Sequence, residues 1–281
     1  MNNEIPLKLV FQNKSIGIIT PRHIIEYKLE IIFVNRRKKC GDFQKWICNP
    51  SRNQRVEIGY MARIKLTMAE QEDNNQGKFQ ELTERIIDTS GAFYRRGWLY
   101  ATSGNLSAVA EENPFRLAIT ASGVDKGNLT ASHVIGIDEN GAVLNGQLRP
   151  SSETLIHLII VKKLGAKSVM HTHSIWGTLL SEKFSGNGGI EISGYEMLKG
   201  LRGIESHQDS EWIPILENSQ DMKHICNELE VIFSRSPDIH GFLLRGHGLY
   251  TWGDSIEDAR RHVEALEFLL EVYGRLTLGA A

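Results

Sequence analysis

The chain of 281 residues is poor in cysteine, with three, and in proline, with seven, and it has no uninterrupted apolar run of membrane-spanning length. Cys40, Cys48 and Cys226 form no CxxC pair and cannot all be joined, which excludes a disulfide scaffold and a cysteine-rich zinc site. Without ~20 consecutive apolar residues there is no candidate transmembrane helix. Met1–Thr20 also lacks the charged-then-apolar plan of a signal peptide. A formal charge of -2 and a pI near 6.6 leave no excess of positive charge for a general nucleic-acid or anionic-membrane binder. The expectation is a cytoplasmic protein with neither nucleic-acid nor membrane partners. Apolar residues at 41% and charged residues at 23% are ordinary globular usage, which excludes a disordered or collagen-like chain.

The charge is unevenly spread. Residues 1–60 hold eleven Lys/Arg against five Asp/Glu, whereas the remainder holds 21 against 29. The first 60 residues include the run Asn35-Arg-Arg-Lys-Lys39 and no sustained helical or alternating pattern. A basic arm for nucleic acid is one reading. The favoured expectation is a disordered extension, or upstream sequence translated from a misplaced start, with Met61-Ala62 as the true beginning. The folded domain is then 61–281.

Patterning is clear from about Met68. Leu82, Ile86, Ile87, Phe93 and Tyr94 predict an amphipathic helix over Gln80–Arg96, ended by Gly97. Arg116–Thr120 and His133–Asp138 read as strands, and Asn140-Gly141 is a hairpin turn. Ser151-Ser152 precede an apolar helix through Lys163 that Gly165 closes. Lys167–His171 and Gly241–Arg245 read as further strands. The last helix starts at Asp254 or Ser255, with Ala259, Val263, Leu266, Leu270 and Tyr273 on one stripe. Helices and hairpin-type strands alternate without regular βαβ spacing, which predicts an α/β/α layered fold with a mainly antiparallel sheet.

Few residues offer chemistry. In His171-Thr-His173 at a strand end, two imidazoles two residues apart point the same way and can share one ion. A catalytic zinc site keeps three protein ligands and an open position. His247, between glycines after a strand, is the best-placed third ligand; as a lone residue it is equally well a turn histidine. Ser103-Gly-Asn-Leu-Ser107 and Thr120-Ala-Ser-Gly123 are small-residue loops that can approach an anion, although each alone is also ordinary turn chemistry. Ser151-Ser152-Glu153 opens a helix and reads either as a cap or as an anion site. Lys126 is a counter-charge or a solvated surface lysine. Glu196, in Gly194-Tyr-Glu-Met-Leu-Lys-Gly200, is a general base with an upshifted pKa or a plain surface glutamate.

The ordered set GNLS, TASG, RPSSETLIH, HTHS and a late GHGLYTWG resembles the class II aldolase (fuculose-phosphate aldolase/adducin-like) family from about Ala69 onward. Gly194–Gly200 and Pro214-Ile-Leu-Glu-Asn218 look like a dehydratase branch within it. The resemblance implies a three-layer α/β/α domain, assembled as a homotetramer with sites near subunit boundaries. It implies one Zn²⁺ per subunit on His171, His173 and His247, and a sugar-phosphate substrate. Glu196 occupies the dehydratase acid/base position. Asn105, Ser122, Gly123, Ser151 and Ser152 fall in the substrate-binding motifs, and Glu153 matches the glutamate that aldolase relatives use at the metal.

Overall fold

The computed structural model describes Val10–Phe11, Lys14–Ser15 and Arg52–Gly279, with side chains from Asn74 onward. The expected extension 1–60 lies largely outside the described residues. The chain divides into two compact units, Met1–Asn74 and Asn75–Ala281. In the first, Val10–Phe11 pairs with Lys14–Ser15 as a short antiparallel ladder. Helix α1 spans Arg52–Arg95, so the helix expected from Gln80 starts well before it, and the expected boundary at 60/61 falls inside it. Along α1, Phe79, Leu82, Ile86 and Phe93 are buried, whereas Tyr94 is exposed. The helix ends as the sequence predicts: Gly97 takes φ +72°, where its N–H reaches Tyr94 O at 3.0 Å.

The second unit is built on nine strands: β1 (Asn105–Glu112), β2 (Phe115–Thr120), β3 (Val134–Ile137), β4 (Val143–Asn145), β5 (Ser168–Thr172), β6 (Gly189–Ser193), β7 (Ser210–Leu216), β8 (Gly241–Leu244) and β9 (Gly248–Gly253). Their order in the sheet is β4-β3-β2-β1-β5-β9-β8-β7-β6. Every pair is antiparallel except β7 with β8. The remaining helices are α2 (Thr154–Leu164), α3 (Ile175–Phe184), α4 (Met222–Arg235) and α5 (Ile256–Leu278).

Strand alternation sorts side chains between two helical layers. Leu106, Ala108, Ala110 and Met170 pack with Phe79, Phe93 and Val263 from α1 and α5. Val169, Phe242, Leu244, Tyr250 and Trp252 pack with Ile156 and Ile160 of α2 and Leu229 and Phe233 of α4. The architecture is the expected three-layer α/β/α. Each fully buried large apolar side chain contributes roughly 1.5–3 kcal/mol, spread over both faces of one sheet.

One element departs from the sequence reading. Gly104-Asn-Leu-Ser107 is not a loop between regular elements; Asn105 opens β1, an interior strand paired with β2 and β5. A Cβ on Gly104 would sit 2.7 Å from His171 O, so glycine is what lets the chain enter the sheet beside β5.

The segment after β6 is pinned by two histidines. His262 donates from Nδ1 to Trp252 O at 2.7 Å and accepts the Arg202 N–H at Nε2, 3.1 Å. His240 donates from Nε2 to Arg202 O at 2.7 Å and from Nδ1 to the buried Glu211 carboxylate at 2.9 Å. Among the described residues no helix is long and apolar enough to cross a membrane.

Candidate metal centre

Three strands and one helix start meet at the site. β5 delivers His171, and the chain just past its end delivers His173. The β8–β9 turn delivers His247, and α2 begins one residue after Glu153. Glycine at 248 is obligatory, because a Cβ there would collide with Thr172 O. β9 therefore lies close against β5, with Leu249 opposite Thr172 and Tyr250 opposite His171.

The three imidazoles face one another through Nε2. His171 and His173 are 2.8 Å apart, His173 and His247 3.1 Å, and His171 and His247 3.3 Å. Glu153 Oε1 is 3.1 Å from His247 Nε2 and 3.9 Å from His171 Nε2. Together Glu153, His171, His173 and His247 place one ligand atom each within 4.8 Å of one another. His171 Nδ1 donates to Leu249 O at 3.0 Å, so its Nε2 carries a lone pair. Its ring lies flat on Tyr250, with centroids 3.8 Å apart and planes at 10°, which fixes its plane.

This donor set fits a tetrahedral cation. Two nitrogens at about 2.0–2.1 Å from one zinc ion lie roughly 3.3 Å apart, near the separations found. Lone pairs that close together repel unless a positive charge sits between them.

Electrostatics agree. Burial, reinforced by His173, holds His171 well below the usual histidine range. Burial lowers His173 to about 4, with His247 adding to it. Both rings are therefore neutral at physiological pH, the form in which an imidazole can bind a metal. For Glu153, burial favours the acid, but the His247 bond, the electrostatic attraction of the facing His171 and His247 rings, and the Asn105 bond outweigh it. Its carboxyl ends well below the ordinary range.

A cavity of about 670 Å³ opens onto Glu153, His173 and His247, with Tyr100, Asn218 and Gln220 among its other walls. The Pro214–Asn218 motif thus runs from β7 into this cavity.

The remaining candidates divide. Asn105 is buried and committed: its Nδ2 donates to Glu153 Oε2 at 2.7 Å, and its Oδ1 faces His157 Nε2. Ser151 Oγ lies 3.4 Å from Glu153 Oε2. Ser122 N–H donates to Arg149 O at 2.9 Å, tying the TASG loop to the loop before Ser151. Ser122, Gly123 and Ser152 are exposed there.

Lys126 is not solvated surface. It is buried, donates to Thr102 O at 3.0 Å and Val124 O at 3.1 Å, and is lowered by burial to about 8.

Glu196 is not brought to the histidines. It opens a short 3₁₀ turn, with its side chain 71% exposed, paired with Lys199 at 2.6 Å and His207 at 3.2 Å. The Lys199 bond, with His207, pulls its carboxyl below the ordinary range, so the expected upshift is absent. With no apolar enclosure there is nothing to favour the protonated form.

His157 is the residue the sequence reading passed over. It is fully buried on α2, one turn beyond Glu153, with Nδ1 2.7 Å from Ser107 Oγ. The i, i+4 spacing from Glu153 was the available signal.

Comparison with known proteins agrees with this geometry. The family model described as Class II Aldolase and Adducin N-terminal domain matches residues 84–274. A protein of Marinobacter nauticus called methylthioribulose-1-phosphate dehydratase is 38% identical over 197 residues, covering 69% of this chain and 93% of that one. One of the same name from Methylococcus capsulatus is 38% identical over 200 residues, covering 71% and 96%. Among solved structures, the Escherichia coli protein YgbL, a putative aldolase/epimerase/decarboxylase, superposes with a TM-score of 0.60 at 25% identity, covering 72% of this chain and 91% of that chain. An L-fuculose 1-phosphate aldolase superposes with a TM-score of 0.59 at 20% identity, covering 70% and 87%, a likeness of fold.

Proposed function

Because the chain belongs to the class II aldolase and adducin N-terminal domain family, we propose that it is a zinc-dependent lyase of methionine salvage, removing water from 5-methylthioribulose 1-phosphate to give 2,3-diketo-5-methylthiopentyl 1-phosphate. The observation that carries this reading is the convergence of three histidine Nε2 atoms in a chain that spans nearly the whole length of dehydratase relatives. His171, His173 and His247 would hold the cation, which would supply Lewis acidity for the C2 carbonyl.

The chain's own groups do the rest. Gly123 and the exposed hydroxyls of Ser122 and Ser152, with half-buried Ser151 beside them, on two loops tied together by the Ser122 N–H to Arg149 O bond, take the phosphate. A base removes the C3 proton, the C4–O bond breaks with its electron pair, and the hydroxyl leaves with a proton as water. The resulting enol ketonises to the diketone. Glu196 is the acid/base in this reading. Its exposure suits a cytoplasmic homotetramer in which the turn of one copy completes the centre of a neighbour.

One observation favours a second reading. Glu153, not Glu196, is the carboxylate at the histidines of the same chain. With Glu153 as base, aldol cleavage of another sugar phosphate is the alternative.

The test is an NMR time course of zinc-loaded protein with 5-methylthioribulose 1-phosphate, wild type beside Glu196→Gln. Diketone phosphate from wild type alone is the expected result. An aldehyde plus a three-carbon phosphate would establish the aldolase, and an unchanged spectrum would reject this substrate.

A further inference from the structure

We propose that His157 is a positioning residue for the metal centre: it locks the Asn105 carboxamide so that an N–H faces Glu153, leaving Glu153 Oε1 as the oxygen turned to the histidines. The proposal rests on the metal-centre reading above and deepens it.

The polarity of the relay can be read outward from Glu153. An ionised carboxylate only accepts, so the Asn105 atom 2.7 Å from Oε2 must be the amide nitrogen. The other end of the amide, Oδ1, then faces His157 Nε2 and only accepts. His157 Nε2 must therefore carry the ring proton, and Nδ1 accepts from the Ser107 hydroxyl at 2.7 Å. Each polar atom has one role: Ser107 donates to His157, His157 to Asn105, and Asn105 to Glu153, which only accepts.

The opposite tautomer would reverse Asn105 and set its oxygen against the carboxylate. Two acceptors at hydrogen-bond distance repel, so Glu153 would swing away or take up a proton. Burial keeps His157 neutral, with its pKa lowered to about 4, so the ring does not lose its accepting nitrogen near neutrality. The relay is enclosed: Asn105, Ser107 and His157 are all buried, and water has no access to replace a missing member. His157 lines neither the cavity nor the cluster of facing nitrogens, so it acts on Glu153 through Asn105; its ring also meets Tyr250 edge-on, with centroids 6.1 Å apart, a contact that phenylalanine at 157 would keep.

The first measurement uses the unmodified, metal-free chain. Long-range ¹⁵N–¹H correlation of the His157 ring should show the Nε2–H tautomer, unchanged from pH 6 to pH 8. An Nδ1–H ring, or an imidazolium in that range, overturns the proposal without any variant that must fold. The second uses cobalt(II)-loaded protein. His157→Phe should still bind cobalt, but its visible spectrum should move toward that of Glu153→Ala. Its kcat should fall by about 10–100-fold with KM nearly unchanged, the range for lost support of a metal-site residue. His157→Gln, whose amide N–H can reach Asn105, should restore most of both signals. A His157→Phe protein with the wild-type cobalt spectrum rejects the relay. If wild type fails to dehydrate the substrate, the proposed reaction falls, while the tautomer and the cobalt spectrum still decide the role of His157.

Discussion

Two histidine clusters in the same domain differ in protonation, and burial alone does not explain why. At the metal centre His171 and His173 face other imidazole nitrogens and are held neutral. At the Arg202 loop, His240 has a carbonyl at one nitrogen and a carboxylate at the other, so both must donate. Burial works against that charge, yet the Glu211 bond and its negative charge more than offset it, and His240 is raised above the usual range. Its neighbour His262, offered one acceptor and one donor, is lowered instead, chiefly by burial. The partners available to each nitrogen decide the protonation state, and through it what each cluster can do: offer lone pairs in one place, hold a charged clasp in the other.

The largest expected effect breaks the first cluster. His171→Ala should abolish stoichiometric zinc binding and lower turnover by at least roughly 10²–10³-fold, the scale of losing a main electrostatic contact to the reacting group. Metal analysis of the purified variant beside its kcat checks both.

A pH series of unfolding midpoints on metal-free protein sharpens the contrast, because the clusters have opposite signs. His157 and His173 have folded values near 4, below the unfolded value of about 6.5. The unfolded chain therefore takes up protons first, and stability should fall by several kcal/mol, to order of magnitude, between about pH 6.5 and 4. His240 is raised, so its contribution is fully present below about pH 6.5 and is lost as pH rises through the folded value. Glu211→Leu should remove that alkaline loss and cost about 3 kcal/mol at pH 6, since it breaks a buried pair.

The smallest effect adds a buried carboxyl to the comparison. Glu267, on α5 behind β5, accepts from Thr172 Oγ1 at 2.5 Å and is pushed up to about 7 by burial, against its hydrogen bonds. Its raised value means stability present below about pH 4.5 and lost as pH rises through 7. The advantage of Glu267→Gln over wild type should widen by about 2 kcal/mol between pH 5.5 and pH 8.5. Chemical denaturation at the two pH values is the check.

Much of this was legible in the residues. His171, His173 and His247 are each weak signals alone, and their order with GNLS, TASG and RPSSETLIH points to the fold that is found and to three histidines that the structure brings together. The α2 cap at Gly165, the Asn140-Gly141 turn and the α5 stripe follow directly from local chemistry. β1 was misread because Asn, Ser and Ala carry little strand preference; its interior place comes from packing between β2 and β5, which demands small residues. The start of α1 at Arg52 had no apolar periodicity to announce it. Lys126 is buried by carbonyls that no motif specifies. For His157 the sequence offers only its spacing from Glu153, because its partners Asn105 and Ser107 lie about fifty residues away, on a strand that reads as a loop.

The place of β9 in the sheet has a consequence in time. It is the last strand in the chain, yet it sits between β5 and β8. Until it is synthesised, β4-β3-β2-β1-β5 and β8-β7-β6 have no shared ladder, and His247 has nothing to hold it against His171. Pairing so distant in sequence is slow to form. A nascent chain therefore has two unfinished half-sheets and no cation site for most of its synthesis. Assembly of the three facing imidazoles becomes a late event, one that only a chain completed through Gly253 can perform, and a prematurely terminated product would leave the ribosome with its candidate cation site unmade.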